Sequence, residues 1–153
     1  MSAELEPVRR QASVVGLTMC LVAAASAATV GVTAESASAR QQVAVSRLEA
    51  SLTGSGDPDG SGKATFRLSK SQHRVCATVT WHKIGTPKAA HIHRASDGGV
   101  AIDLTGSVTG GARCTTKASR ALVGKILAHP GQYYFNVHNA KYPAGAIQGT
   151  LHR

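Results

Sequence analysis

Val75-Cys76-Ala77-Thr78-Val79-Thr80-Trp81-His82 is the stretch whose reading decides the fold class. Side chains of a strand alternate between faces with period two. Val75, Ala77, Val79 and Trp81 therefore share one face, and Cys76, Thr78, Thr80 and His82 share the other. Neither proline nor glycine interrupts the run and β-branched residues dominate it, so a strand is expected over residues 73–82. Trp81, the only tryptophan, is expected to anchor the core. Just upstream, Ala64-Thr65-Phe66-Arg67-Leu68 places apolar residues at the even positions. That alternation predicts a partner strand, joined by a hairpin turning near residues 69–72.

The same period recurs outward in both directions. Leu48, Ala50 and Leu52 alternate with Arg47, Glu49 and Ser51, which predicts an opening strand within residues 40–52. The cluster from Gly54 to Gly62 is a surface loop; its acceptors lack the order of an EF-hand calcium loop. Downstream, a strand over 89–94 and a turn at Gly98-Gly99 lead to a short strand carrying Val100, Ile102 and Leu104. Residues 106–113 are expected to form a glycine-rich loop ending at Cys114. Ser119 then suits a helix N-cap, with Leu122, Val123, Ile126 and Leu127 at helical spacing and His129-Pro130-Gly131 as the stop. Tyr133, Phe135 and Val137 line one face of a further strand; Tyr134, Asn136 and His138 line the other. After a turn at Pro143-Ala144-Gly145 comes a last strand over 146–151. The expectation is an all-β domain: an antiparallel Greek-key sandwich or barrel of about seven to eight strands with one short helix.

The N-terminus reads differently. Arg9 and Arg10 precede an apolar run from Ala12 to about Val32, and Ala37-Ser38-Ala39 supplies an A-x-A pattern before Arg40. Together these describe a secretory signal peptide over residues 1–39, cut after Ala39 or, as second choice, within 25–28. The run of about 20 residues also suffices to span a bilayer, so an uncleaved anchor is the alternative. Lipoprotein processing at Cys20 is rejected, because bulky Met19 precedes it. The domain then occupies residues 40–153 and keeps two cysteines, Cys76 and Cys114. Export favours one disulfide between them over two buried thiols. The expected location is secreted or associated with the cell envelope.

From Arg40 onward, 15 lysines and arginines face 5 acidic residues. Such a balance favours polyanions in general. The charges are scattered singly, however, and no helix-turn-helix, zinc finger or aromatic nucleic-acid signature accompanies them. Specific nucleic-acid binding is not expected. A membrane partner is expected only if the N-terminal segment stays uncleaved.

The chemistry concentrates in Ala90-His91-Ile92-His93. Two histidines at this spacing project from one side of a strand, and imidazole is the commonest side-chain metal ligand. His138 lies on another strand far along the chain. If a metal binds, His91, His93 and His138 are the expected ligands, with Tyr134 and Asn136 as candidates to support them. Three neutral imidazoles suit copper first and zinc second. The competing reading is structural: histidines that hydrogen-bond to backbone and order their loops. Whether the ring nitrogens converge decides between the two.

Several segments together resemble a known family. Ala89-Ala90-His91-Ile92-His93-Arg94 resembles the AHIH motif of the CHRD (chordin-type) domain. Residues 133–139, Tyr-Tyr-Phe-Asn-Val-His-Asn, and residues 142–151, Tyr-Pro-Ala-Gly-Ala-Ile-Gln-Gly-Thr-Leu, resemble its C-terminal signature. Val75-Cys76 and Cys114 resemble the paired cysteines of secreted actinobacterial members. The likeness covers roughly residues 45–151; Gln148 stands where many members carry arginine. A weaker likeness in layout is to copper–zinc superoxide dismutases, where a His-x-His strand and a distant histidine hold copper. This chain has no histidine between His93 and His129 to supply a bridging or zinc ligand, and Asp97 and Asp103 alone do not rebuild the zinc site.

Three functions follow as expectations. The first is an exported, non-catalytic binding module for a metal, an extracellular ligand or an envelope component. The second is a copper-dependent redox enzyme or a zinc hydrolase. The third is a structural domain without metal. No Ser-His-Asp arrangement, nucleophile elbow or phosphate loop is present in the sequence.

Overall fold

The computed structural model describes residues 43–153; the expected signal segment lies outside them. The first three strands form a meander: β1 (Ser46–Gly54), β2 (Ser61–Ser69) and β3 (Arg74–His82). In β1 and β2 every second residue faces inward, and Leu48, Ala50, Leu52, Ala64, Phe66 and Leu68 are buried. β4 (Pro87–Arg94) and β5 (Val100–Asp103) form a hairpin. A one-turn helix α1 (Gly106–Thr109), a two-residue strand β6 (Cys114–Thr115) and helix α2 (Arg120–Ala128) follow. A 3-10 turn (Pro130–Gln132) then leads into β7 (Tyr133–Asn139) and β8 (Ile147–Thr150).

All eight strands belong to one antiparallel sheet, in the order β5-β4-β7-β8-β1-β2-β3-β6. Its two outermost strands, β5 and β6, line a common cleft of about 270 Å³ together with α1. The sheet thus curls until its ends nearly meet, giving a nearly closed barrel. Closure follows from the alternation. The longer strands each have one strongly apolar face, and rolling the sheet buries those faces together. Phe66 and Phe135 meet edge to face inside, with centroids 5.1 Å apart. Ile92, Val137, Ile147 and Leu151 fill the space around them.

The expected all-β class and strand pattern hold, and so does the disulfide, which joins directly opposed residues of β3 and β6. Ser119 caps α2 by accepting a hydrogen bond from the Leu122 backbone N–H at 3.1 Å. Two details differ from expectation. Residues 106–109, read as loop because of their glycines, form α1, stabilised by the burial of Val108. Trp81 is half-buried and packs against the margin of the core, where it lines a cleft with Val79 and residues of α1. At the α2 C-terminus Arg153 Nη2 donates to the Leu127 carbonyl at 2.6 Å. Among the described residues, no helix is long and apolar enough to cross a membrane.

Candidate metal centre

The alternation that buries Ala90 and Ile92 in the core turns His91 and His93 to the outer face of β4. β7 lies beside β4, with His91 opposite Asn136, His93 opposite Tyr134 and Ala89 opposite His138. His138 consequently sits diagonal to His91 on the same outer face. One potential ligand nitrogen from each of the three rings lies within 4.8 Å of the others. The rings converge on the outside of the barrel wall and not in its interior. His93 is buried, and His91 and His138 are half-buried.

His93 and His138 are each held by Nδ1, which fixes the role of their Nε2. His93 Nδ1–H donates to the Gly98 carbonyl at 2.8 Å, leaving Nε2 as an acceptor. That Nε2 is buried and has no hydrogen-bond partner. His138 Nδ1–H donates to the Pro143 carbonyl at 3.0 Å, again freeing Nε2. His91 is turned the other way: its Nε2 faces Asp103 Oδ1 at 3.7 Å, and its Nδ1 faces His138 Nε2 at 3.2 Å. The nitrogens that face one another are therefore Nδ1 of His91 and Nε2 of His93 and His138; His91 and His138 share one hydrogen bond, and His93 Nε2 alone has no partner. A carbonyl or carboxylate behind each ring is the outer arrangement that metal-binding histidines use.

Local sequence builds those supports. The turn between β4 and β5 closes because Asp97 Oδ1 accepts from the Gly99 N–H at 2.8 Å while Arg94 Nε grips the same carboxylate at 3.1 Å. These bonds hold the Asp97 carboxyl below its ordinary value, the Gly99 bond contributing most. Gly98 adopts φ +67°, a conformation that favours glycine, and so presents its carbonyl to His93. On the other side, Asn136 Nδ2 donates to the Ala144 carbonyl at 3.1 Å, next to the carbonyl that His138 engages. Gly145, at φ +138°, leaves the space that the Asn136 amide occupies.

Tyr134 and Asn136 thus touch the site differently from a hydrogen bond to a ligand ring. Tyr134 stacks on His93, with centroids 5.1 Å apart and planes 11° from parallel. Asn136 fixes the turn that carries the Pro143 carbonyl. Sequence reasoning missed Asp103, Gly98 and Pro143 as supports. For Asp103 the signal was the hairpin predicted across Gly98-Gly99, but a bulge at Ile92/His93 shifts the register by one. Only the actual pairing places Asp103 opposite His91.

Electrostatics keep the site ready for a cation. Burial pushes the His91 imidazole below its ordinary 6.5, helped by His138 and His93 and opposed by Asp103. Burial also lowers His138, outweighing the Pro143 hydrogen bond. Asp103 is held below its ordinary range by hydrogen bonds from the backbone and side chain of Thr105, the backbone N–H lying at 2.9 Å. The His91 and His138 rings are thus neutral at neutral pH beside an ionised carboxylate.

The fold and site define a class: an antiparallel β-barrel bearing three convergent histidines on its outer wall. The chain matches the CHRD domain model over residues 42–151 and belongs to the CHRD domain family. No curated protein and no solved structure matches it.

Proposed function

We propose that this CHRD domain is an exported, non-catalytic module that binds a transition metal, copper first and zinc second, through His91, His93 and His138. The observation that carries the reading is the buried His93 Nε2, which lacks a partner and lies within 4.8 Å of a ring nitrogen of His91 and one of His138. A buried acceptor left unsatisfied costs about 1–3 kcal/mol, and a metal ion coordinated there removes that cost. Imidazole donors without thiolate or clustered carboxylate fit copper or zinc better than calcium or magnesium. The disulfide supports an oxidising, extracellular setting. The module's further ligand there is an extracellular protein or an envelope component.

The test is calorimetric titration of chelator-stripped protein with copper(II) and zinc(II). The expected result is one ion per chain with Kd below about 10 μM. Replacing all three histidines by alanine should abolish uptake and leave the far-ultraviolet spectrum of the barrel unchanged. Absence of binding in that range removes the proposal. Three protein ligands also leave a coordination position open, which favours copper redox catalysis as the second reading. Superoxide removal by copper-loaded protein, lost in the triple variant, would select it.

A further inference from the structure

On a part of the surface built from α2 and the β2–β3 turn lies an open groove of about 600 Å³. Lys70, Arg120, Lys125 and His129 line it, and no acidic side chain does. All four are exposed. Among the described residues, Lys70, Arg120 and Lys125 have no salt-bridge partner, whereas Arg47, Lys63 and Arg94 each have one. The floor is formed by small residues of α2. Gly124 sits mid-helix, where glycine costs about 1 kcal/mol relative to alanine. A Cβ there would come within 3.3 Å of Lys70 Cε and 3.4 Å of its Nζ. Glycine therefore lets the Lys70 side chain lie close over the helix, on the same groove as Arg120 and Lys125.

We infer that this groove binds a linear polyanion, namely a chain of repeated phosphate or carboxylate groups without bases. Arg120 and Lys125 are five residues apart, so their stems stand about 7–8 Å apart along the helix axis. Lys70 lies over Gly124, beside Lys125, so three cations border one groove and can meet several anionic groups of one strand. A shallow open groove gives an isolated ion no enclosing donors, whereas a polymer gains from several weak contacts at once. The groove has no phenylalanine, tyrosine or tryptophan to serve as a stacking platform for successive nucleic-acid bases, which separates it from single-strand nucleic-acid channels. A flat membrane face would call for exposed apolar residues beside the cations, and the groove offers none larger than alanine.

The probe is linear inorganic polyphosphate, titrated against the full domain at two salt concentrations. Arg120→Gln with Lys125→Gln should weaken binding at least about tenfold and flatten its salt dependence. A control removing the same charge at Lys83 and Lys88, which lie outside this groove, should change it less than about twofold. Thermal melts of both variants confirm folding, since all four positions are exposed. Metal titration of the Arg120/Lys125 variant should match wild type, so this inference stands or falls independently of the histidine site. Equal loss in the two variants would assign the binding to net charge and overturn the inference. Orthophosphate binding as tightly as the polymer would overturn it too, as would capture by phosphatidylglycerol vesicles without polyphosphate binding.

Discussion

At the scale of single residues, the three histidines differ in what stands behind them, and the difference predicts their behaviour. His93 and His138 rely on backbone carbonyls, while His91 relies on the side chain of Asp103. Asp103 orients His91 so that Nδ1 faces the other rings, and its charge raises the basicity of that nitrogen. Asp103→Asn should therefore reduce metal affinity about 10–100-fold, the usual cost of losing such a support. The residue is exposed, so the melting temperature of the metal-free protein should hardly move; calorimetry and melting together check this. Protonation supplies a second prediction. His91 and His138 have folded-state values below the ordinary 6.5. Their neutral forms are thus favoured in the folded protein, and the unfolded chain binds more protons as the pH falls below 6.5. Stability of the metal-free domain should be constant above that point and decline as the pH falls through the lowered values. Metal affinity should decline in the same window, because protons and metal compete for the same lone pairs. Replacing His91 and His138 by asparagine should flatten the stability profile; a profile unchanged by the replacement contradicts the assignment.

At the scale of elements, the site is a product of two turns that close over one sheet face. The β4–β5 turn presents the Gly98 carbonyl, and the β7–β8 turn presents that of Pro143. Gly98 has room for a methyl group, its nearest neighbour being Tyr134 Oη at 3.7 Å from the added Cβ. Its φ of +67° is the obstacle. Gly98→Ala should thus cost about 1 kcal/mol of stability through backbone strain alone. Because the same strain displaces the carbonyl behind His93, metal affinity should fall as well, which paired melting and titration can check. Strand positions and the α2 cap were legible because they depend on neighbours one to four residues apart. The one-turn helix α1 was not, since Gly106 and Gly110 argue for a loop and only burial of Val108 makes the turn worthwhile.

At the scale of the whole molecule, the short strand β6 is tied to β3 by the disulfide and by a two-residue ladder. The bridge closes a loop of 38 residues that spans β4, β5 and α1. Replacing both cysteines by serine should lower unfolding stability by about 4 kcal/mol on the chain-entropy account. Denaturant unfolding of oxidised protein against the double variant measures it. The His site lies elsewhere in the sheet, on β4 and β7, so metal stoichiometry should survive wherever the variant remains folded.

Alternation alone determined that this chain makes an antiparallel β-structure, because period two is a local property that every strand repeats. It also determined that His91 and His93 share a face, while the cysteine count left Cys76 and Cys114 as the pair available beyond the N-terminal segment. Only tertiary structure decided that β7 lies beside β4, that His138 lands diagonal to His91, and that Asp103 stands opposite it. Those are questions of strand order and register, and a one-residue bulge is enough to change which side chains meet. The unpartnered Nε2 of His93 and the orientation of His138 were likewise beyond the sequence, since they depend on carbonyls that loops far apart in the chain bring to one surface.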